Sequence, residues 1–400
     1  MKNLWTIFLY ELKKIWMQKL TWVVAVIAVA FTVYSMLPQF TGNSLSLTFT
    51  DADGTEISRD ISDQERFQIE REGASLLDGQ AIDDEFFLNM QKSLPEILLT
   101  EDVLLYGYDY SPYFYIIDPT YFAFSRYMIP AQDLASMTAE KYYGFHRGQI
   151  EESWNEQKLS DNEIAYWEAM VEQVEQPLVY HDIVGARESI TVISYTVAKL
   201  LPLLIGVCLC SVFPQERRTR MSALIFTAKE GRFPVYFAKV LAGIVSVIML
   251  TAVLFIAVTA TGAIVYDGVN FHAALMLVLS SCWPITMGQA IFILLGLLLI
   301  YALLCGSLTI FVSLFTGSRI AGLIVSSILM VVDLLMPYSD APYLPGNLVN
   351  PSIFMVYRLV GIPGFQLNWV QFGFLLYGGS AVALLALCWF GWRKNAVAGR

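Results

Sequence analysis

A chain of 400 residues that is 56% hydrophobic and only 15% charged, with a mean hydropathy of +0.54, is too apolar for a compact soluble enzyme; average chains carry about 25% charged residues. The charge is also unevenly spread. Residues 41–187 hold 28 of the 35 acidic and 9 of the 25 basic side chains, a net of −19, whereas the other 253 residues carry a net of +9. No strongly basic domain or recognition motif is present, which argues against a nucleic-acid partner.

In chain order, the first predicted element is an amphipathic helix over residues 3–20. Trp5, Phe8, Leu9, Leu12, Trp16 and Leu20 recur at helical spacing, and Asn3, Thr6, Lys14 and Gln18 lie off that stripe. Such a helix, taken as 1–19, lies in the headgroup plane with Trp and Lys as anchors. Apolar runs follow at 20–40, 190–213, 235–266, 285–316, 320–337 and 370–392. Each is near the roughly 20 residues that cross a bilayer core as helix, which predicts six spans. The stretch 271–284 is too short for a seventh and reads as interfacial or re-entrant.

Orientation follows from the short loops. Lys2, Lys13, Lys14 and Lys19 precede span one; Arg217, Arg218, Arg220, Lys229 and Arg232 lie between spans two and three. Arg319 precedes span five, and Arg393, Lys394 and Arg400 follow span six. With six spans these segments share one side, so both termini are expected in the cytoplasm of a multi-pass plasma-membrane protein. The insert 41–187 and the segment 338–369 then lie outside, and 188–400 carries spans two to six.

The insert has no cysteine, so its own core rather than disulfides must hold it. Cys208 and Cys210 sit C-x-C within a span, with no histidine nearby, and read as apolar packing. Capping-box patterns at 62–65 and at Ser160–Glu163, with helical spacing to about Leu94 and from Thr138 to about Glu175, predict a mainly helical α or α+β domain. The aromatic run 106–127 reads as short strands or loops, serving as core and interfacial belt or as a docking surface. The fold class is therefore an all-α polytopic membrane protein with a mainly helical extracytoplasmic domain.

Catalytic chemistry is missing. His146, His181 and His272 form no H-E-x-x-H metal motif, and no G-x-S-x-G elbow or G-x-x-x-x-G-K-[ST] phosphate loop occurs. Asp83–Asp84–Glu85 and Glu151–Glu152 read as solvated helix faces. No catalytic or metal residue is assigned.

The sharper signal follows span two. Phe213–Pro214 ends the helix, Glu216, Arg217, Arg218 and Arg220 follow, and residues 221–229 can form a short helix with Met221, Leu224 and Ile225 on one face. Gly231 suits its stop, and Pro234 suits the first turn of span three. Exposed apolar residues among charges suit a cytoplasmic partner. The run 216–243 resembles the segment joining spans two and three of type-2 ATP-binding-cassette exporter permeases, nearest to Gram-positive members with a long insert between spans one and two. Glu216, Lys229, Gly231, Arg232 and Lys239 stand at the positions of that pattern, although Arg220–Met221 replaces its usual small residues. The segment 342–357 resembles the family's re-entrant exterior helices.

The resemblance implies a permease with a coupling helix at about 216–232 that docks on cytoplasmic ATPase subunits, two per transporter. ATP and Mg would reside on those subunits, with no cofactor on this chain. A second permease subunit, identical or sister, and membrane lipids complete the expected partners. The cargo would be a lipid, a lipid-linked molecule or an amphipathic peptide. An ion-gradient-driven transporter or channel, and a membrane-anchored ligand sensor, are the competing readings. Two further expectations come from the spans. Lys199, Gln289 and Asp333 lie in the outer parts of theirs and can line an outward-opening pathway or snorkel to the interface. Ala302/Gly306, Gly322/Ser326 and Gly379/Ala383 allow close helix approach, within the subunit for most of them.

Overall fold

In a computed structural model of the protein, which describes residues 2–37, 45–50, 56–61, 75–93, 136–218, 233–336, 343–362 and 364–397, the apolar runs are helices. Helix α1 (Lys2–Trp16) and α2 (Lys19–Ser35) meet at a 65° bend. There the Trp22 indole N–H donates to the Trp16 carbonyl at 2.7 Å. Strands β1 (Leu45–Thr50) and β2 (Glu56–Ile61) pair antiparallel, Leu45 opposite Ile61. The insert continues with α3 (Asp84–Ser93), α4 (Ala139–Glu156) and α5 (Asp161–Val171). The capping pattern and aromatic run at 62–65 and 106–127 fall outside the described residues.

The second apolar run is one long, interrupted helix, Val184–Glu216. It comprises α6 (Val184–Val192), a π turn (Ile193–Val197), α7 (Ala198–Leu209) and α8 (Pro214–Arg218). Pro202 lies inside α7, where it lacks the N–H that Ala198's carbonyl would receive and its ring crowds that carbonyl. The wider π turn ends just there. Helices α9 (Phe233–Val265), α10 (Met287–Thr316), α11 (Arg319–Leu335) and α12 (Trp369–Val397) follow.

Among the described residues, four single helices are long and apolar enough to cross a membrane, and the bent α1–α2 pair raises the number to five. The fifth expected span, 320–337, is the 17-residue α11, about 26 Å long at 1.5 Å per residue, shorter than a core of about 30 Å. The second span is the central one: 72% of its apolar window is buried, against 17% for the last. Its Gly206 meets α11 so closely that a Cβ there would lie 2.5 Å from the Ser326 Cβ. Gly306 packs on Leu209 and Val247, and Gly322 on Ser313 and Cys210, whereas Gly379 meets nothing within 4 Å. Two of the three small-residue pairs are thus used within the subunit.

Only part of the predicted stripe of α1 faces the bundle: Leu12 and Trp16 pack against the core with Phe8. Phe8, Glu11 and Ile15 are buried, while Trp5, Leu9 and Leu20 are exposed. The helix has a second apolar face because its inner one must pack on α9, and spacing alone does not rank the two.

Two folded-back segments cap the bundle on the insert side. In 271–286, Ala274 pairs with Thr286 across a tight loop that holds a 3-10 turn at Leu275–Leu277. In 343–367, 3-10 turns at Asn347–Val349 and Pro351–Met355 precede the hairpin β3 (Val360–Ile362) and β4 (Phe365–Leu367). The insert helices lock onto both. The fully buried Trp167 donates to the Tyr357 carbonyl, Tyr357 OH donates to the Ser280 carbonyl at 3.1 Å, and Glu163, completing the expected capping box with Ser160, also accepts the Leu359 N–H at 2.8 Å.

Buried His146 joins the same lock. Ser280 Oγ donates to Gln149, so the His146 Nδ1–H is the donor to Ser280 Oγ at 2.8 Å. Burial among aromatic rings pushes its pKa down to about 4. The unfolded imidazole titrates near 6.5 and so binds a proton that the folded one refuses. Stability of the lock is therefore complete above about pH 6.5 and falls as the pH drops toward 4, by about 3 kcal/mol in total. Hydrogen exchange of α4 between pH 7 and 4.5 should show that loss, and His146→Gln should flatten it. Equal slopes in both proteins would refute the assignment.

Candidate functional site

Two polar clusters interrupt the apolar bundle, one at each end. The first lies where α1, the end of the second span and the start of α9 converge. Lys239 is fully buried in the first turns of a helix otherwise free of charge. Its Nζ lies 3.0 Å from Glu11 Oε2 and 2.7 Å from Glu216 Oε1, and it donates to the Val212 carbonyl at 3.0 Å. Lys14 Nζ closes the ring, 3.2 Å from Glu11 and 3.4 Å from Glu216.

Two cations and two carboxylates thus form a neutral quartet drawn from three elements. Buried ions of this kind are held by mutual pairing, because desolvating each separately costs several kcal/mol. Aromatic packing roofs the quartet: the Lys239 ammonium sits 5.6 Å from the Phe213 ring centroid, and Phe213 packs edge-on against Trp392 of α12. Ser211 Oγ donates to Gln18 at 3.1 Å, a further tie between the second span and the α1–α2 bend. The arrangement makes α1, the second span and α9 one mechanical unit. Displacing the chain that follows Glu216 would pull on Lys239 and Lys14 directly, and through them on Glu11.

Of the residues expected at the coupling segment, Glu216 stands in this quartet. Arg217 and Arg218 continue its helix α8. Arg220, Met221, Leu224, Ile225, Lys229, Gly231 and Arg232 lie outside the described residues. Sequence reasoning missed Glu11. The available signal was that it is the sole acid in the first 50 residues, set in a helix with two lysines close behind.

The second cluster lies toward the insert side. Lys199 Nζ donates to the Asp333 backbone carbonyl at 2.8 Å and to Asn347 Oδ1 at 3.2 Å. The Asp333 carboxylate accepts the Tyr301 hydroxyl and the Gly346 N–H. A Cβ at Gly346 would collide with the Asp333 carboxylate, so glycine is required there. One turn before Lys199, the π turn holds the same segment: Ser194 Oγ donates to the Val349 carbonyl at 2.7 Å, and Asn350 donates to Tyr195 OH at 3.0 Å. Lys199 and Asp333 therefore share a cluster. Gln289 does not join them; it is exposed and forms a capping box with Thr286 at the start of α10. Tyr301 and Asn347 are further members that apolar-run analysis passes over, since both are uncharged.

Among the described residues no group of His, Cys, Asp or Glu is placed to hold a metal. All five cysteines are free thiols. The clusters offer charge, hydrogen bonds and leverage rather than a nucleophile.

No curated protein and no solved structure matches the chain. The family model of the ABC-2 family transporter protein matches residues 5–348, from α1 through the second polar cluster. That span includes the insert, the folded-back 271–286 loop, the whole quartet, and Lys199, Tyr301, Asp333, Gly346 and Asn347 of the second cluster. An apolar helical bundle matched over that length is a multi-pass membrane protein and the transport subunit of an ABC system, whose family works with a cytoplasmic ATPase: the chain belongs to the ABC-2 family of transporter proteins.

Proposed function

We propose that the chain is the permease of an ATP-driven exporter with six spans, both termini in the cytoplasm and residues 41–187 outside. Two permease subunits, identical or sister, form the pathway, and two separate ATPase subunits dock beneath them with their ATP and Mg. The cargo is a lipid, a lipid-linked molecule or an amphipathic peptide. The observation that carries the coupling reading is the buried quartet of Glu11, Lys14, Glu216 and Lys239. It ties the chain entering the 216–232 segment to the chain leaving it, and both to α1. Force applied at that segment by an ATPase has a stiff route into the second and third spans.

The test is Leu224→Asp, on the apolar face expected to plug into the ATPase. Burying an unpaired carboxylate there costs about 3 kcal/mol or more, which weakens docking at least about 100-fold. The variant should insert and fold as the wild type does, yet fail to retain the ATPase on co-purification and lose cargo-stimulated ATP hydrolysis. Normal co-purification and normal stimulated turnover would refute the coupling assignment.

A further inference from the structure

We infer that the cleft between the 173–181 strap and the folded-back 274–286 loop is a binding site for a cationic amphiphile, a small apolar body carrying an ammonium or guanidinium group. The cleft encloses about 320 Å³, within the range of small-molecule sites. Its walls are fixed. The strap is bonded to the 79–82 turn through Gly79 N–H to the Tyr180 carbonyl, Tyr180 N–H to the Gln80 carbonyl and Ile82 N–H to the Leu178 carbonyl, each at 2.8 Å. The loop is closed by Leu275 N–H to the Ile285 carbonyl at 2.9 Å. Leu178, Met276 and Trp283 supply buried apolar surface, and the Trp283 indole is itself wedged against Trp167 and Phe354. An apolar body gains by entering such a site, and an indole favours a cation over an anion.

The sign of the charge follows from three observations. No lysine or arginine is among the residues that line the cleft; Glu175, His181 and His272 are its titratable groups. Asp78 stands directly behind, accepting from His181 Nδ1 at 3.1 Å and from the Asp182 N–H at 3.2 Å, in an insert of net charge −19. The start of α10, which borders the cleft, has no N–H to offer an anion. The Thr286 and Gln289 N–H groups are taken by each other's side chains, and those of Met287 and Gly288 by the Ala273 and Phe271 carbonyls. The usual attraction of a helix N-terminus for anions is thereby spent internally.

This inference does not rest on ATP coupling, because binding is measured on the permease alone. The full chain in zwitterionic nanodiscs is titrated with 4-phenylbutyl-trimethylammonium and with 4-phenylbutane sulfonate, using saturation-transfer NMR against empty nanodiscs. The expected result is a saturable cation signal at least about tenfold tighter than the sulfonate. Glu175→Lys should weaken the cation about tenfold, and Val179→Trp, which fills the cleft mouth, should abolish saturable binding of both. Should Glu175→Lys fail to fold by its thermal transition, Glu175→Gln serves instead, with a loss of about threefold. Equal affinity for the two probes, or binding unchanged by both variants, would overturn the inference.

Discussion

Replacing Lys239 by Met is expected to destabilise the base of the bundle by about 3–5 kcal/mol, the cost of stripping one partner from a buried ion pair. The size follows from geometry. Lys239 is the fully buried member of the quartet and touches both carboxylates, whereas Lys14 is 19% exposed and reaches Glu11 and Glu216 at longer range. Without Lys239, two carboxylates share one partly hydrated ammonium. Lys14→Met should cost only about 1 kcal/mol, nearer to a surface pair. The discriminating variant is Lys239→Met with Glu216→Gln, which restores neutrality in the ring and should recover more than half of the loss. Thermal unfolding in nanodiscs reads all three. If Lys239→Met melts with the wild type, or if the double variant is as unstable as the sum of its parts, the quartet does not hold these helices together.

The sequence made the helical bundle legible because an apolar run of 18 to 32 residues has few alternatives once it is inserted in lipid. Helices α2, α9, α10 and α12 fall close to the expected runs. Less legible was whatever depends on which face of a helix meets protein. Glu11 lies on the inner face of α1 beside Phe8 and Ile15, while the apolar stripe read from spacing included the exposed Trp5 and Leu9. In a protein bounded by lipid both faces are apolar, so hydrophobic periodicity loses its meaning and only a misplaced charge betrays the inner side. The same ambiguity explains Gly306 and Gly322: their spacing marks close contact, and only the structure shows that Leu209 and Ser313 of the same chain are what they touch. The second span's π turn was invisible for another reason. Ile193–Val197 has an ordinary helical composition, and the cue was Pro202, one turn downstream.

Asp333→Leu is expected to open the cluster on the insert side and to cost about 3–5 kcal/mol, since it strands three groups at once. The Tyr301 hydroxyl and the Gly346 N–H lose their acceptor, and the Lys199 ammonium loses its nearest countercharge. Lys199→Met alone should be milder, about 1–2 kcal/mol. It leaves the carboxylate with Tyr301 and Gly346, and frees only the Asp333 backbone carbonyl and the Asn347 side chain. If the two charges act on one another, the losses are not additive: Lys199→Met combined with Asp333→Leu should be at least about 1 kcal/mol more stable than the summed single losses, a coupling of the usual size for contacting residues. The functional consequence follows from which elements meet here. Lys199 belongs to the second span, whose lower end carries Glu216, and Asn347 belongs to the folded-back segment that caps the bundle. Under the proposed coupling, a second span pulled at Glu216 would deliver its motion to this cap through Lys199, Ser194 and Tyr195. Lys199→Met should therefore lower cargo transport in reconstituted vesicles at least about threefold beyond any loss of folded protein, consistent with roughly 0.7 kcal/mol of lost coupling. Strict additivity of the two substitutions, together with wild-type transport per folded molecule in Lys199→Met, would show that the cluster merely fills space.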